Sequence, residues 1–327
     1  MTKRLRVGVV GVGAMGEHHT RVYAALPEAE LVGVYDPSRD RAAEVAARWQ
    51  TRAWPALPDL LAAVDALSIA SPTSTHEAVA TQALERGVHV LVEKPLAASL
   101  AAGQRLAAVA ARHPALVAQV GFIERFNPCV RVLHRYLAGQ RIVTITIDRL
   151  SPFGPRCLDT DVIHDLMIHD IDLTLAALGE ELTLLRAEGE ALHDSGADWA
   201  TAWFTTPDGA TATLRASRVA QEKVRRLAIV TERATLRADL LARHVTVTAH
   251  GAAQAVETIA VPDDEPLRLE LQYFLTCAAS SEQPIAGVDA GLRALVQAAA
   301  VAAAAIPQPV GEPAPVDLAA GLALSAG

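Results

Sequence analysis

Cysteine is scarce in this chain, and the few residues present do not organise themselves. Cys129, Cys157 and Cys277 are odd in number and share no C-x-x-C spacing, so neither a disulfide framework nor a zinc knuckle is expected. A reducing, cytoplasmic setting is the expectation that follows. Positive charge is in deficit too. With 29 Lys and Arg against 37 Asp and Glu, the net charge is −8, which argues against nucleic acid as a partner. Long apolar runs are missing as well. The best of them, Ala294 to Ile306, contains Gln297 and falls short of the roughly 18 to 20 residues a membrane span requires. It reads as a buried alanine-rich helix, and no membrane partner is expected. No signal peptide is expected, because Lys3, Arg4 and Arg6 lead into an apolar run broken by glycines and followed by Glu17-His18-His19. No internal repeat is present.

What remains is a globular composition, 51% hydrophobic and 20% charged over 327 residues, long enough for two cores. The rhythm of the chain changes near Gly121. We therefore expect a dinucleotide-binding domain over 1–121 and a substrate-binding and oligomerisation domain over 122–327.

The first block alternates strands and helices. Arg6 to Val10 is a strand followed at once by Gly11-Val12-Gly13-Ala14-Met15-Gly16, which opens a helix. That is G-x-G-x-x-G in the context it needs: Gly11 for the tight turn, Gly13 for approach of backbone amides to a pyrophosphate, Gly16 for close helix packing, with the helix N-terminus at Ala14 and Met15 favouring negative charge. The next strand, Leu31 to Tyr35, ends in Asp36, where a carboxylate can bind the adenosine ribose hydroxyls. Asp36 argues for NAD, since it repels a 2′-phosphate; Arg39 close by keeps NADP open. Helices are read at Arg39–Trp49, Thr75–Arg86 and Ser99–Arg112, and strands at Leu67–Ala70, Val88–Val92 and Leu116–Val120. The result is a doubly wound parallel sheet. Its ligand edge collects the turn after Ala70, with Ser71, Thr73 and His76 as cofactor neighbours, and the sequence Glu93-Lys94-Pro95.

The second block reads as an α+β unit with an open, mostly antiparallel sheet. Closely spaced strands are expected at Ile142–Arg149, Leu182–Leu192, Trp199–Thr205, Thr211–Ser217, Arg226–Thr231 and Val245–Thr248, with a hairpin turn at Pro207-Asp208-Gly209. Helices are expected at Pro128–Leu137, Asp159–Leu178, Leu267–Ser280 and Ala290–Ala305, and Pro307 to Pro315 as an extended surface segment. Within Asp159–Leu178, helical spacing puts Asp165, His169 and Asp172 on one face, where a carboxylate can orient an imidazole. No metal is expected there, for want of a second histidine on that face. A general base held by a carboxylate, with Lys94 opposite, is the chemical reading.

Gly11-x-Gly13-x-x-Gly16, Glu93-Lys94-Pro95 at a strand end, and Asp165-x-x-x-His169-x-x-Asp172, in that order, together resemble the glucose-fructose oxidoreductase and inositol dehydrogenase (Gfo/Idh/MocA) family. The resemblance implies a Rossmann domain, a second domain whose open sheet joins copies into homodimers or homotetramers, and NAD(P)-dependent oxidation or reduction of a sugar or cyclitol. It also implies that Lys94 and His169 are catalytic with Asp165 beside them, that Glu93 lies near the nicotinamide ribose, and that the bond before Pro95 is cis. On reference pKa values of about 6.5 and 10.4, His169 is the better base and Lys94 the better stabiliser of the alkoxide. The reverse stays open if Arg125 lowers the lysine pKa. The segment from Gly121 to Pro128, together with Asp165 to Asp172, is most similar to the branch containing UDP-N-acetylglucosamine 3-dehydrogenases. Arg125 and Asn127 are then expected at the substrate with Lys94, Asp165 and His169, and Arg149, Arg156 and Arg218 at a diphosphate. The branch implies a nucleotide-sugar substrate. An inositol or other sugar dehydrogenase, or a non-catalytic NAD(P)-binding regulator, are the other readings.

Overall fold

The computed structural model describes residues 4–154, 160–179, 181–193, 196–251 and 255–306. The expected segment Pro307–Pro315, the start of the helix at Asp159, and Arg156 and Cys157 lie outside them. Ten elements come first: β1 (Leu5–Val10), α1 (Ala14–Ala25), β2 (Ala29–Tyr35), α2 (Arg39–Arg48), α3 (Leu57–Ala63), β3 (Ala66–Ile69), α4 (His76–Leu84), β4 (His89–Glu93), α5 (Leu100–Arg112) and β5 (Ala118–Gly121). Their strands are all parallel in the order β2-β1-β3-β4-β5. The order reverses between β1 and β3, which opens a crevice at the carboxyl edge of the sheet. Strands buried on both faces read as unbroken apolar runs, as Val90-Leu91-Val92 does here with none of the three exposed. Ser38 and Ser99 stop the preceding loops by accepting the amides of Arg41 and Ala102, which starts α2 and α5 where those caps stand.

The second unit runs through α6 (Pro128–Leu137), β6 (Ile142–Leu150), a π-helical turn at Ile163–Met167 that leads into α7 (Ile168–Leu178), then β7 (Thr183–Glu190), β8 (Trp199–Thr205), β9 (Thr211–Ser217), β10 (Val224–Thr231), β11 (Ala234–Asp239), β12 (His244–Ala249) and β13 (Val256–Ile259). These eight strands form one sheet, β13-β12-β11-β10-β6-β9-β8-β7, antiparallel throughout except for the parallel pair β6 and β9. Alternation decides its faces. Ile145, Ile147 and Arg149 of β6 are buried under the helices, while Thr144, Thr146 and Asp148 face the other way. No described helix covers that other face.

Two last helices cross back over both units: α8 (Pro266–Ser280) and α9 (Val288–Ala305). Leu267, Leu271 and Phe274 of α8 enter the same core as Val7, Val9 and Leu91. Helix α9 is long and apolar enough to cross a membrane by composition alone, yet Val288, Gly291, Leu295, Ala298 and Val301 bury one face of it in the fold. Gly103 of α5 and Gly291 of α9 make that packing tight: a Cβ on Gly291 would stand 2.7 Å from Val120, and one on Gly103 3.2 Å from Leu292. The five parallel strands all precede residue 122 and the eight-stranded sheet follows it, while α8 and the first half of α9 pack on the first sheet.

Under that sheet, between α1 and α8, lies a buried polar seam. The Tyr23 hydroxyl and the Ser68 hydroxyl are 2.8 Å apart, Ser68 Oγ is 3.1 Å from His19 Nδ1, and His19 Nε2 is 3.0 Å from Glu93 Oε1. Glu270 from α8 is fully buried, and neither of its carboxylate oxygens has a hydrogen-bond partner among the described residues. Burial, with Glu93 and Asp172 nearby, raises its carboxyl well above the ordinary glutamate value. Such an acid keeps its proton in the fold after the unfolded chain has lost it, so its contribution is fully present below the unfolded pKa and declines as pH rises above it. Glu270→Gln should remove that decline. Going from about pH 5 to about pH 8, the variant gains on the wild type by up to about 1.4 kcal/mol for each unit over which the folded acid stays protonated. Urea unfolding at the two pH values measures this, and a difference between the two proteins that does not change with pH would show a charged Glu270.

Candidate active site

The carboxyl edge of the first sheet carries the glycine loop. Gly11 has a φ of +78°, and a Cβ there would lie 2.4 Å from the backbone of Ser71; on Gly16 it would lie 1.8 Å from the Gly11 carbonyl. Only hydrogen fits at either position. At Gly13, by contrast, nothing lies within 4 Å, and α1 begins there without any side-chain cap. An open backbone at an uncapped helix N-terminus is the cradle a pyrophosphate requires. The amides of Ala14 and Met15 begin that helix. Asp36 ends β2 beside the loop, its Oδ2 accepting the Val12 amide at 2.9 Å and its Oδ1 the Ser38 amide at the same distance. Arg39 is exposed at the start of α2. The residues present fit a dinucleotide.

Ser71 and Thr73 follow β3 along the same edge and are half-buried. The Ser71 hydroxyl is 2.6 Å from that of Thr75. His76 is buried. Its two ring nitrogens each stand 2.9 Å from a carbonyl oxygen, Nδ1 from Pro95 and Nε2 from Ser71, so it ties the two loops together from behind. Glu93 is turned inward to His19, with its second oxygen 3.2 Å from the Lys94 amide. The Lys94–Pro95 bond is cis.

Lys94 reaches across to the second unit. Its ammonium donates to the Asp165 carboxylate at 2.7 Å and to the Asp165 carbonyl at 2.9 Å. This corrects one expectation: Asp165 holds Lys94 and does not orient His169. The π turn is the physical reason, since helical i, i+4 spacing no longer puts two side chains on one face where each turn takes up an extra residue. His169 Nδ1 is buried without a hydrogen-bond partner among the described residues, and the ring meets Phe122 edge-on, centroids 6.4 Å apart. Burial, with Lys94, Arg149 and Arg225 nearby, holds the ring well below the ordinary histidine value. The imidazole is therefore neutral at neutral pH.

The other residues expected at substrate have partners inside the protein. Arg125 grips Asp172 with Nε at 2.7 Å and Nη2 at 2.5 Å, and donates to the Ile285 carbonyl. Asn127 caps α6, its Oδ1 accepting the Cys129 amide at 3.0 Å and its Nδ2 donating to Glu124 at 3.0 Å. Arg149 is buried between Asp170 and Glu124, and Arg218 between Asp198 and the Thr160 carbonyl. The latter two were expected at a diphosphate; in the fold they are cores of buried ion pairs. Sequence reading missed His19, Ser68, Glu270 and Arg225. For His19 and Tyr23 the signal was their i, i+4 spacing on the buried face of α1.

A nucleotide cradle with a lysine on its own sheet edge, and a histidine on a helix beyond it, defines a nicotinamide-dependent oxidoreductase. Comparison with known proteins gives the family. Residues 5–122 match the oxidoreductase family with an NAD-binding Rossmann fold, and residues 135–237 the GFO/IDH/MocA C-terminal domain. A UDP-N-acetylglucosamine 3-dehydrogenase of Acidithiobacillus ferrooxidans is 40% identical over 302 residues, 90% of this chain and 95% of that one. Its solved structure superposes with a TM-score of 0.87, covering 92% of this chain and 98% of the other. The NAD(+)-dependent scyllo-inositol 2-dehydrogenase of Bacillus subtilis is 30% identical over 312 residues, 87% of this chain and 89% of its own. Levoglucosan dehydrogenase, solved with NADH and levoglucosan, shares the fold at 18% identity and a TM-score of 0.83, covering 93% and 97%. The chain belongs to the Gfo/Idh/MocA family of oxidoreductases.

Asp36 generates a test of cofactor choice. Asp36→Ala should weaken NAD by about 1 to 3 kcal/mol, the value of charge-assisted hydrogen bonds, and narrow the preference over NADP. Fluorescence titration with both reduced cofactors reads it. Equal affinity of the wild type for the two would defeat the assignment.

Proposed function

We propose that this protein oxidises the 3-hydroxyl of a UDP-linked N-acetylhexosamine with NAD, with Lys94, Asp165 and His169 at the reacting end. The observation that carries the substrate class is the 40% identity to the UDP-N-acetylglucosamine 3-dehydrogenase across 95% of that enzyme's length. Bound NAD supplies the hydride acceptor. The alcohol proton must leave as the hydride does, and the neutral His169 ring takes it up as general base. Lys94, held by Asp165, stabilises the developing alkoxide. The cations that keep His169 neutral also make its protonated form a strong acid, which returns the proton when a ketone is reduced. The Ser71–Pro95 strap through His76 keeps the lysine turn in register with the cofactor loop. Scyllo-inositol or another cyclitol is the second reading, favoured by the Bacillus subtilis relative. A regulator that binds the cofactor without turnover has no need of a lysine held by an aspartate beside a neutral histidine.

The uncovered face of the eight-stranded sheet, with Thr144, Thr146, Thr201, Trp203, Thr211 and Thr213, is the surface through which we infer that copies associate as dimers or tetramers. Light scattering that reads a monomer at micromolar concentration would end that inference. A cytoplasmic setting belongs to the same reading and fits the free, buried Cys129 and Cys277; fractionation of the source cells tests it.

Lys94→Ala and His169→Ala should each abolish NADH formation while leaving NAD affinity within a few-fold, and near wild-type kcat in either would remove that residue from the mechanism. The deciding substrate test is NADH formation on UDP-sugars, free sugars and inositols. Turnover of an inositol with silence on every nucleotide sugar overturns the substrate and leaves the family intact.

A further inference from the structure

Several arginines are buried or half-buried between residues 122 and 306, and most are committed. Among the described residues Arg125 is paired with Asp172, Arg149 with Asp170 and Glu124, and Arg218 with Asp198. Arg225 differs. Its Nη1 donates to the Leu150 and Val224 carbonyls at 2.7 and 2.9 Å, and no described carboxylate lies within ion-pair distance of it. Nε and Nη2 are left for something else. Arg225 stands directly opposite Arg149 in the β6–β10 ladder, so both side chains leave the sheet on the face that α7 covers. It lies close enough to act electrostatically on His169. Burial and Arg149 lower its pKa, and Asp170, Glu124 and Asp165 only partly offset them. A half-buried guanidinium beside another arginine, without its own counter-ion, is a costly arrangement unless an anion completes it.

A second feature lies three residues beyond the Leu150 carbonyl that Arg225 grips. Phe153 is 44% exposed and stacks on His193, ring centroids 4.3 Å apart and planes 19° apart. His193 is itself fixed, with Nδ1 3.1 Å from the Asp198 carboxylate and its amide bound to the same group at 2.7 Å. The result is a stacked aromatic pair whose Phe153 ring remains partly exposed. Three residues of chain span at most about 10 Å, the scale of a nucleoside diphosphate.

We propose that Arg225 and the Phe153–His193 shelf hold the nucleotide end of the substrate, the guanidinium binding the diphosphate and Phe153 stacking on the pyrimidine base. This rests on the nucleotide-sugar reading above and replaces the buried Arg149 and Arg218 as its anion site. Guanidinium suits a diphosphate because its planar fork donates two parallel hydrogen bonds. A pyrimidine stacks on any flat apolar ring, and Asp198 holds His193 against Phe153 before the ligand arrives.

The test uses the enzyme with NAD bound and two probes, UDP by calorimetry and UDP-N-acetylglucosamine by KM. Arg225→Met should raise both constants by about 10- to 100-fold, as loss of charge-assisted hydrogen bonds does, with NAD affinity unchanged. Arg225→Lys should fall between, since it keeps the charge and loses the fork; it also serves if the methionine variant does not fold. Phe153→Ala should weaken UDP by about 5-fold or more while leaving inhibition by inorganic pyrophosphate as it is, whereas Arg225→Met should abolish that inhibition. Wild-type constants in the arginine and phenylalanine variants, in an enzyme that does oxidise a UDP-sugar, overturn this inference alone. A wild type that binds no UDP and oxidises only free sugars or cyclitols overturns it together with the substrate class.

Discussion

The ammonium of Lys94 is the point on which the two halves of this molecule meet. It stands at the end of β4, on a turn tied through His76 to the cofactor loop, and it is anchored by both the side chain and the backbone carbonyl of Asp165 in the other unit. Two acceptors from one residue locate a flexible lysine that otherwise has four rotatable bonds to spend. The π turn at Ile163–Met167 brings Asp165 to that position, and such turns recur where a helix must present a group off its regular face. His169, a few residues on, then lies in the field of the lysine without bonding to it. An ammonium and a neutral imidazole held apart from each other can divide the work of stabilising an oxyanion and accepting a proton.

The net charge of −8 conceals a set of arginines that are each met by buried acids. Asp170, Asp172, Asp198 and Glu124 answer Arg149, Arg125 and Arg218 in pairs that are largely dry. Buried pairs of this kind add little net stability over apolar packing, but removing one partner costs about 3 to 5 kcal/mol. Their effect is to fix α7 in rotation. With Asp170 and Asp172 both committed, on opposite sides of Ile171, the helix has one orientation in which every charge is met. His169 is aimed as a consequence.

Much of this was legible in the chain. The glycine loop works through backbone geometry that only glycine permits, and Ser99 and Asn127 start helices by a hydrogen bond each, so local sequence carries the information. The strands Trp199–Thr205 and Thr211–Ser217 were readable to the residue because alternation and a Pro-Asp-Gly turn agree. β11 was not, because its turn has no glycine, proline or asparagine. There the Thr231 hydroxyl accepts the amides of Arg233 and Ala234 and closes the hairpin instead. β13 is an exposed edge strand with one neighbour, and α3 begins at a proline pair that reads as loop. At the site, the arginines were misread for a plain reason. Arg149 and Arg218 meet carboxylates about twenty residues away in the chain, and a sequence shows a charge without showing what answers it. Asp165 was assigned to His169 on α-helical spacing, and the local π turn changes the phase of that count.

Arg225 escaped notice because nothing in its neighbourhood in the chain marks it, and the structure makes it conspicuous only by comparison with the satisfied arginines around it. Under the proposed chemistry its position would couple binding of an anion to the basicity of His169. Together with burial, Lys94 and Arg149, its charge is one of the influences that keep His169 neutral. An anion seated on Arg225 would cancel part of that influence and raise the basicity of the ring as the substrate arrives, since a nearby opposite charge offsets what a like charge imposes. A free sugar lacking a diphosphate would leave Arg225 uncompensated and His169 a weaker base. On this account the far end of a nucleotide sugar contributes to the chemical step as well as to affinity, which is how binding energy from a non-reacting group is converted into rate.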